Sequence, residues 1–331
     1  MAKSETTDIA SPDPALLERF SRDLDGLLPA GKRLGVAVSG GPDSIALLLL
    51  AAAARPGQVE AATVDHALRP ESRTEAETVA ALCERLGVSH SILTAQWDEK
   101  PETAIQERAR KARYALLSDW AAEKGIPALA TGHHADDQAE TLLMRLLRGA
   151  GVRGLAGMRR LGPVPGRKLA LLRPLLGWRR SDLETLCADA GVAAADDPSN
   201  ADERFERVRI RKALAGADWF DTDAVALSAA NLAEADFALQ WAAAQEWRRG
   251  VTRRAGQIVY RPAGRTPREI RRRIVRRAIL ALATEGKGDL RGPALEKLIG
   301  ALAKGGRGTL RGVMCVGGKE WRFAKAPPRK A

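Results

Sequence analysis

The sequence predicts an α/β protein: an N-terminal doubly wound parallel sheet, then a helical linker and a small basic α+β C-terminal domain. Three observations carry this expectation. Short apolar runs alternate with longer helical patterns over the first 150 residues or so, the rhythm of a parallel sheet covered on both faces. An Ala-rich helical stretch at 224–249 follows, suited to connect two domains. Beyond it, basic residues dominate.

The elements follow in order. Residues 1–12 are polar and expected to be disordered. Leu16, Leu17, Phe20, Leu24, Leu27 and Leu28 lie close to helical spacing within 14–28. LGVAV at 34–38 reads as a buried strand, and 44–54 as a helix. Strands at 59–64, 88–94 and 128–131 alternate with helices at 71–86, 102–124 and 135–148. The glycine-rich stretch 149–166 reads as a loop. Helices at 179–190 and 204–214 flank an Asp-Asp-Pro-Ser-Asn turn at 196–200. The last part has a strand near 257–261 and helices at 268–283 and 293–303. It ends in two strands joined by a two-residue turn at Gly317-Gly318. The implied boundaries are 13–215 for the α/β domain, 216–250 for the linker, 251–326 for the basic domain and 327–331 for a tail.

Of 331 residues, 28% are charged and 45% hydrophobic, as in ordinary soluble domains. No apolar run approaches the length of a membrane span. The opening residues MAKSETTDIASPDP lack the apolar core of a secretion signal. Cys83, Cys187 and Cys315 are far apart, form no CxxC pair and fall in core patterns, so a reducing cytoplasm is expected. From residue 248 onward there are 23 Lys/Arg against 5 Asp/Glu, whereas the preceding residues are net acidic. Such asymmetry suits a polyanionic partner, nucleic acid above all. With only 14 aromatic residues, base-stacking platforms look limited.

Two segments carry chemistry. Ser39-Gly40-Gly41-Pro42-Asp43-Ser44 follows a strand and opens a helix. Glycines let a ligand approach the backbone, and the free N–H groups and dipole at a helix start favour phosphate. Ser39 and Ser44 offer hydroxyl donors, and Asp43 suits Mg²⁺. No Gly-Lys-Ser/Thr ending makes this a Walker A loop. Thr131-Gly132-His133-His134-Ala135-Asp136-Asp137-Gln138-Ala139-Glu140-Thr141 also follows a strand, at the sheet edge where open α/β folds bind ligands. Asp136 and Glu140, and Asp137 and Glu140, pair on one helix face. These carboxylates suit Mg²⁺ or an ammonium group. Zinc held by His133, His134 and the aspartates is a weaker option, since no third neutral ligand or thiol is near. Arg110 and Arg113 share a side of their helix and are candidates to neutralise phosphate, or else a solvated face.

The string SGGPDS resembles the signature of the PP-loop ATP pyrophosphatases, whose members split ATP between the α and β phosphates. Several segments are similar to one branch, the tRNA(Ile)-lysidine synthetases: VDHALRPES at 64–72, ARKARY at 109–114, TGHHADDQAET at 131–141, RPLL at 173–176, and Asp197-Pro198-Ser199-Asn200. The family often has Arg-Asn where this chain has Arg207-Val208. The C-terminal part is similar to the family's tRNA-binding extension more weakly. The resemblance implies a Rossmann-like PP-loop domain and a ligase that joins L-lysine to C2 of the wobble cytidine of tRNA(Ile) with a CAU anticodon, through an adenylated cytidine. ATP and Mg²⁺ are implied as co-substrate and cofactor. It implies that Ser39–Ser44 hold ATP, with Asp43 on Mg²⁺ and His133 and Arg113 near the phosphates. Asp137 and Glu140 are implied for lysine, with Arg207 on its carboxylate. Asp43, Asp137 and His133 are the implied catalytic groups. No membrane is involved, and a homodimer is left open. Two other readings stay in view: a PP-loop synthetase acting on another tRNA base or a small acid, and a non-catalytic tRNA-binding protein on a nucleotide fold.

Overall fold

Asp13 starts the first helix: its Oδ1 accepts from Ala15 N at 2.8 Å, and Pro14 fills the first helical position of α1 (Pro14–Asp25). The alternation then runs β1 (Leu34–Ala37), α2 (Pro42–Ala54), β2 (Val59–Asp65), α3 (Glu71–Arg85), β3 (Ser89–Thr94), α4 (Ile105–Glu123), β4 (Ala128–Ala130) and α5 (Ala135–Leu146). The structure, a computed structural model, describes residues 9–68, 71–97, 105–195, 204, 206–284, 290 and 292–327. Arg69, Pro70, the helix start expected at 102–104, the turn at 196–200 with its Asp197–Asn200 motif, and parts of the expected disordered N-terminus and of the expected tail lie outside them.

The stretch expected as a loop contains more. It holds α6 (Val152–Leu155) and β5 (Leu161–Pro163), followed by β6 (Ala170–Leu172). The sheet order is β3-β2-β1-β4-β6-β5, parallel except that β5 runs antiparallel to β6. Three-residue strands show no period, and Gly162-Pro163 reads as a breaker. At an edge, proline is tolerated because its missing N–H removes no central ladder bond. Then come α7 (Arg180–Asp189), α8 (Glu206–Ala215) and α9 (Thr222–Gly250).

Alternating strand residues feed two cores, as the pleat requires. Val36, Ala61, Ala130 and Leu172 pack with Phe20, Leu47, Leu50, Val79 and Leu183. Ala37, Ala62, Leu129 and Leu171 pack with Tyr114, Leu117 and Trp120 of α4. Every residue of α2 from Ser44 to Ala51 is buried, since α1 and α7 cover the face turned from the sheet. The strand order reverses between β1 and β4, which opens a crevice at their carboxyl ends.

The chain divides into two units, Met1–Leu232 and Ala233–Ala331, with the division inside α9. The second unit adds β7 (Val251–Arg254), β8 (Gln257–Tyr260), α10 (Arg268–Leu282), α11 (Pro293–Ala303), β9 (Arg307–Leu310), β10 (Val313–Val316) and β11 (Trp321–Lys325). Its antiparallel sheet has the order β7-β8-β11-β10-β9 and packs Tyr260, Val313, Trp321 and Phe323 against Ile274, Ile279, Leu298 and Leu302. The arginine-bearing edge strands β7 and β9 were not foreseen. Nor is the last hairpin a two-residue turn: β10 and β11 are separated by 317–320. Gly317 instead docks on the end of α11, its N–H donating to Gly306 O at 2.8 Å, where a Cβ would lie 2.1 Å from Leu302 O.

Among the described residues, no helix is long and apolar enough to cross a membrane. One buried ion pair fixes α10 to the second unit's part of α9: Arg273 Nη2 to Asp236 Oδ1 at 2.6 Å, with the side chains 10% and 1% exposed. Removing one partner strands a buried charge. Arg273→Ala is therefore expected to destabilise this unit by about 3–5 kcal/mol, read as an earlier urea transition in far-UV circular dichroism.

Candidate active site

The loop after β1 is shaped by its own side chains. Ser44 Oγ donates to Gly41 O at 2.9 Å and accepts from Ser39 N at 3.0 Å, with Ser39 Oγ at 3.2 Å. Ser44, 6% exposed, thus closes the loop with the hydroxyl that the sequence offered to phosphate. Gly40 needs its φ of +89°, and its carbonyl accepts from Ala195 N at 2.9 Å. Pro42 is the first residue of α2, and its carbonyl lies 3.4 Å from Cys187 Sγ. Burial pushes that thiol up to about 11, with Asp43 adding to the shift. Among the described residues the N–H groups of Gly40, Gly41 and Asp43 have no acceptor. Those of Gly41 and Asp43 border a cleft of about 620 Å³ lined also by His66, Arg113, Arg180 and Arg211.

The loop after β4 meets this one backbone to backbone. A Cβ on Gly132 would lie 2.6 Å from Asp43 O, so only glycine permits the approach. His134 then opens α5 and is 1% exposed. Its Nε2 lies 3.5 Å from Asp43 Oδ2 and 3.6 Å from Asp137 Oδ2, and its Nδ1 lies 3.4 Å from Asp136 Oδ2. Burial alone would lower its pKa, but Asp136 and Asp43, aided by the charge of Asp137, outweigh it and lift the value to about 10. Carboxylates face both ring nitrogens of His134 and favour its imidazolium form. Asp136 is held well below the usual carboxylate range: burial would raise it, but His134, Arg180 N at 2.8 Å and Arg179 prevail.

Arginines from α8 complete the acidic side. Arg207 Nε lies 3.0 Å from Glu140 Oε2 and Arg211 Nε 2.8 Å from Glu140 Oε1. Arg207 also reaches Asp137 Oδ1 at 3.8 Å and donates to Thr141 Oγ1 at 3.0 Å. Glu140, 2% exposed, is thus already neutralised by two guanidiniums. Arg211 stands one turn from Arg207, a spacing visible in the sequence but not used there.

The other side is cationic. Arg110 and Arg113 approach the Tyr114 ring, at 5.0 and 5.9 Å. Arg173, 9% exposed, donates to Arg159 O at 2.8 Å. Among the described residues none of these three arginines has a carboxylate partner. Burial lowers the pKa of Arg113, Tyr114 opposes the shift, and Arg110 adds to it. Burial, then Arg173, Arg113, Arg110 and Arg207, drive His133 well below its ordinary value. His133 is neutral, its Nδ1 2.8 Å from Thr131 Oγ1. Unpaired guanidiniums around a neutral imidazole make an anion site.

Among the described residues no three His, Cys, Asp or Glu side chains enclose a metal by themselves. Asp43 Oδ1, however, is buried without a partner. That orphaned oxygen fits Mg²⁺, which takes one or two protein carboxylates and completes its shell with phosphate and water. Ser39, Gly41, Pro42, Asp43 and Arg113 thus share the cleft, while Asp137, Glu140 and Arg207 join it through His134 and Arg211. The sequence did not reveal His134 as the hub, nor Arg173 beside His133, Arg179 on Asp136 and Arg211 on Glu140.

This architecture, a glycine loop after β1 facing an acidic helix start after β4, defines a nucleotide-binding PP-loop domain, and residues 16–217 match the family described as PP-loop domain. The U34-tRNA thiolase NcsA from Methanococcus maripaludis has a similar fold, with a TM-score of 0.53 at 17% identity over 66% of this chain and 78% of that one. The sequence is 47% identical to the tRNA(Ile)-lysidine synthase of Novosphingobium aromaticivorans, over 95% of this chain and 94% of that protein. It is 42% identical to the tRNA(Ile)-lysidine synthase of Zymomonas mobilis, over 99% and 98%. The chain belongs to the tRNA(Ile)-lysidine synthase family.

Two expectations follow from the geometry. Gly132→Ala must push the two loops apart, with a loss of about 1–3 kcal/mol in thermal denaturation and on the order of a hundredfold in turnover. His133 stays neutral in the ligand-free protein at about pH 6.5, where a free histidine is half-charged. The unfolded chain takes up the proton that the folded chain refuses, so this histidine lowers stability as pH falls below that value. Imidazole NMR across pH 5–8 (roughly one unit or more either side of the free value) checks this, and added pyrophosphate should raise the His133 value by neutralising its arginines.

Proposed function

We propose that this chain ligates L-lysine to C2 of the wobble cytidine of a tRNA(Ile) bearing a CAU anticodon, at the expense of ATP. The observation that carries the reading is the side-by-side placement of a cationic pocket and an acidic one at the ends of β1 and β4. The first suits a triphosphate and the second an amino acid. Family membership supports the same activity, set in the cytoplasm.

The reaction has two displacements. The C2 carbonyl oxygen of cytidine attacks the α-phosphorus of ATP, and pyrophosphate leaves. The ε-amine of lysine then attacks C2, AMP departs with that oxygen, and the nitrogen sheds a proton. Negative charge builds on the α-phosphate and on the leaving group, so donors must be fixed there in advance. The N–H groups of Gly40, Gly41 and Asp43, with Arg113 and Arg173, are suited to this, while Ser39 and Ser44 keep the loop in shape. Mg²⁺, held by Asp43, supplies electrostatic stabilisation of the phosphates.

Asp137 takes the ammonium end of lysine, and Arg207 with Arg211 takes its carboxylate. Glu140, expected from the sequence to face the amino acid directly, contributes by holding those two arginines. The amine, with a free pKa of about 10.4, must be neutral to attack. His133 is kept neutral by its arginines, and phosphate groups bound among them, those of the adenylate and of pyrophosphate, restore its basicity so that it accepts the proton in the second step. The basic second unit contacts the tRNA backbone, with exposed Arg253, Arg254 and Arg307 on its edge strands among the candidates.

The test is incorporation of radiolabelled L-lysine into total bacterial tRNA with ATP and Mg²⁺. Label enters RNA only with every component present. Asp43→Ala abolishes both label and AMP release while tRNA affinity stays nearly unchanged. ATP splitting without label would leave the PP-loop chemistry standing and reject lysine as the nucleophile.

A further inference from the structure

Between α8 and α9 the chain turns through 216–221 and presents Trp219, 80% exposed, the most exposed large apolar side chain among the described residues. The indole is not loosely displayed. Phe220 meets it edge-on, with ring centroids 5.9 Å apart and planes at 88°. Ala217 N donates to Leu214 O and Phe220 N to Ala217 O, each at 3.0 Å. Asp221 Oδ1 then accepts from Asp223 N at 2.9 Å and Ala224 N at 3.1 Å, which fixes the start of α9.

Both ends of this turn are tied to the site. On one side, Arg211 holds Glu140. On the other, Asp223 Oδ2 lies 3.4 Å from Arg179 Nη1, whose Nη2 lies 3.4 Å from Asp136 Oδ1. Trp219 and Asp223 are four positions apart, so their Cα atoms lie within about 14 Å. The helix leading into the turn carries Arg207, Arg209, Arg211 and Lys212 against one acid, Glu206. A rigid exposed aromatic at the end of a basic helix, beside a site that acts on an unpaired base, is the arrangement by which proteins hold single-stranded RNA.

We propose that Trp219, backed by Phe220, is the stacking platform for an unpaired RNA base that flanks the reacting cytidine. The inference rests on the tRNA reading above. Scarcity of aromatics in the sequence pointed away from stacking, but one indole suffices if the fold sets it beside the site. It orients the RNA strand, so its effect belongs to substrate binding and not to the chemical step.

The test uses the full chain and a tRNA(Ile) transcript. Trp219→Ala should raise the KM for tRNA roughly ten- to a hundredfold, leaving kcat and the KM for ATP and lysine unaltered. Trp219→Phe should restore most of the loss. An anticodon stem-loop should quench tryptophan fluorescence in the unaltered chain more than in Trp219→Phe. An abasic nucleotide next to the cytidine should weaken binding to the unaltered chain and weaken Trp219→Ala no further. Unchanged KM for tRNA, or equal further loss with the abasic RNA, would overturn the proposal. So would a change in sedimentation of Trp219→Ala with tRNA kinetics intact, since the indole would then serve contact between copies. If the unaltered chain incorporates no lysine, the functional reading falls; the stem-loop binding comparison needs no turnover and still reads the platform.

Discussion

The buried imidazolium of His134 is the charge on which the site depends. Asp43, Asp136 and Asp137 come from the first turns of two helices and converge on it within 3.6 Å. Two carboxylates about 4 Å apart repel by about 4 kcal/mol at an effective dielectric near 20. Without a cation between them, the loops after β1 and β4 would be driven apart. The absence of a Cβ at Gly132 permits the approach sterically, and His134 makes it electrostatically favourable. Either alone would leave Asp43 misplaced relative to the phosphate loop.

Around that hub the charges are sorted. Arg110, Arg113 and Arg173 crowd His133 with no carboxylate partner among the described residues, whereas Arg179, Arg207 and Arg211 are each committed to an acid. The two groups perform different work. Free guanidiniums attract an anion, and paired ones hold a carboxylate steady while keeping donors to share. Adjacent histidines likewise carry opposite protonation states, since one faces cations and the other faces aspartates. Neighbours in space set these states.

That distinction marks what was legible in the sequence. The phosphate loop could be read because a strand, a glycine string and a helix start are local signals, and the alternation of β1 to α5 rests on periodicity over enough residues to register. The acidic helix start was legible for the same reason. The neutralisation of Glu140 was not, since its partner Arg211 stands 71 positions away. Nor were β5, β6, β7 and β9, whose three or four residues lack a period; in β5, β7 and β9 the Gly, Pro or Arg content is tolerated at a sheet edge. The turn at Gly317 was misread because a glycine pair signals a hairpin locally, while the first glycine is needed by packing against α11.

The hydrogen bond from Ala195 N to Gly40 O has a consequence for synthesis of the chain. The glycine loop leaves the ribosome early, but the segment that braces it emerges 155 residues later. At 5–20 residues per second that is a delay on the order of ten seconds or more. The strand β4 and the start of α5 also arrive within that interval. Until then α2, apolar on every side, has only part of its cover, and the nascent domain exposes surface that the finished one buries. Nucleotide binding is thus a property the chain acquires late, after most of its first unit has been made.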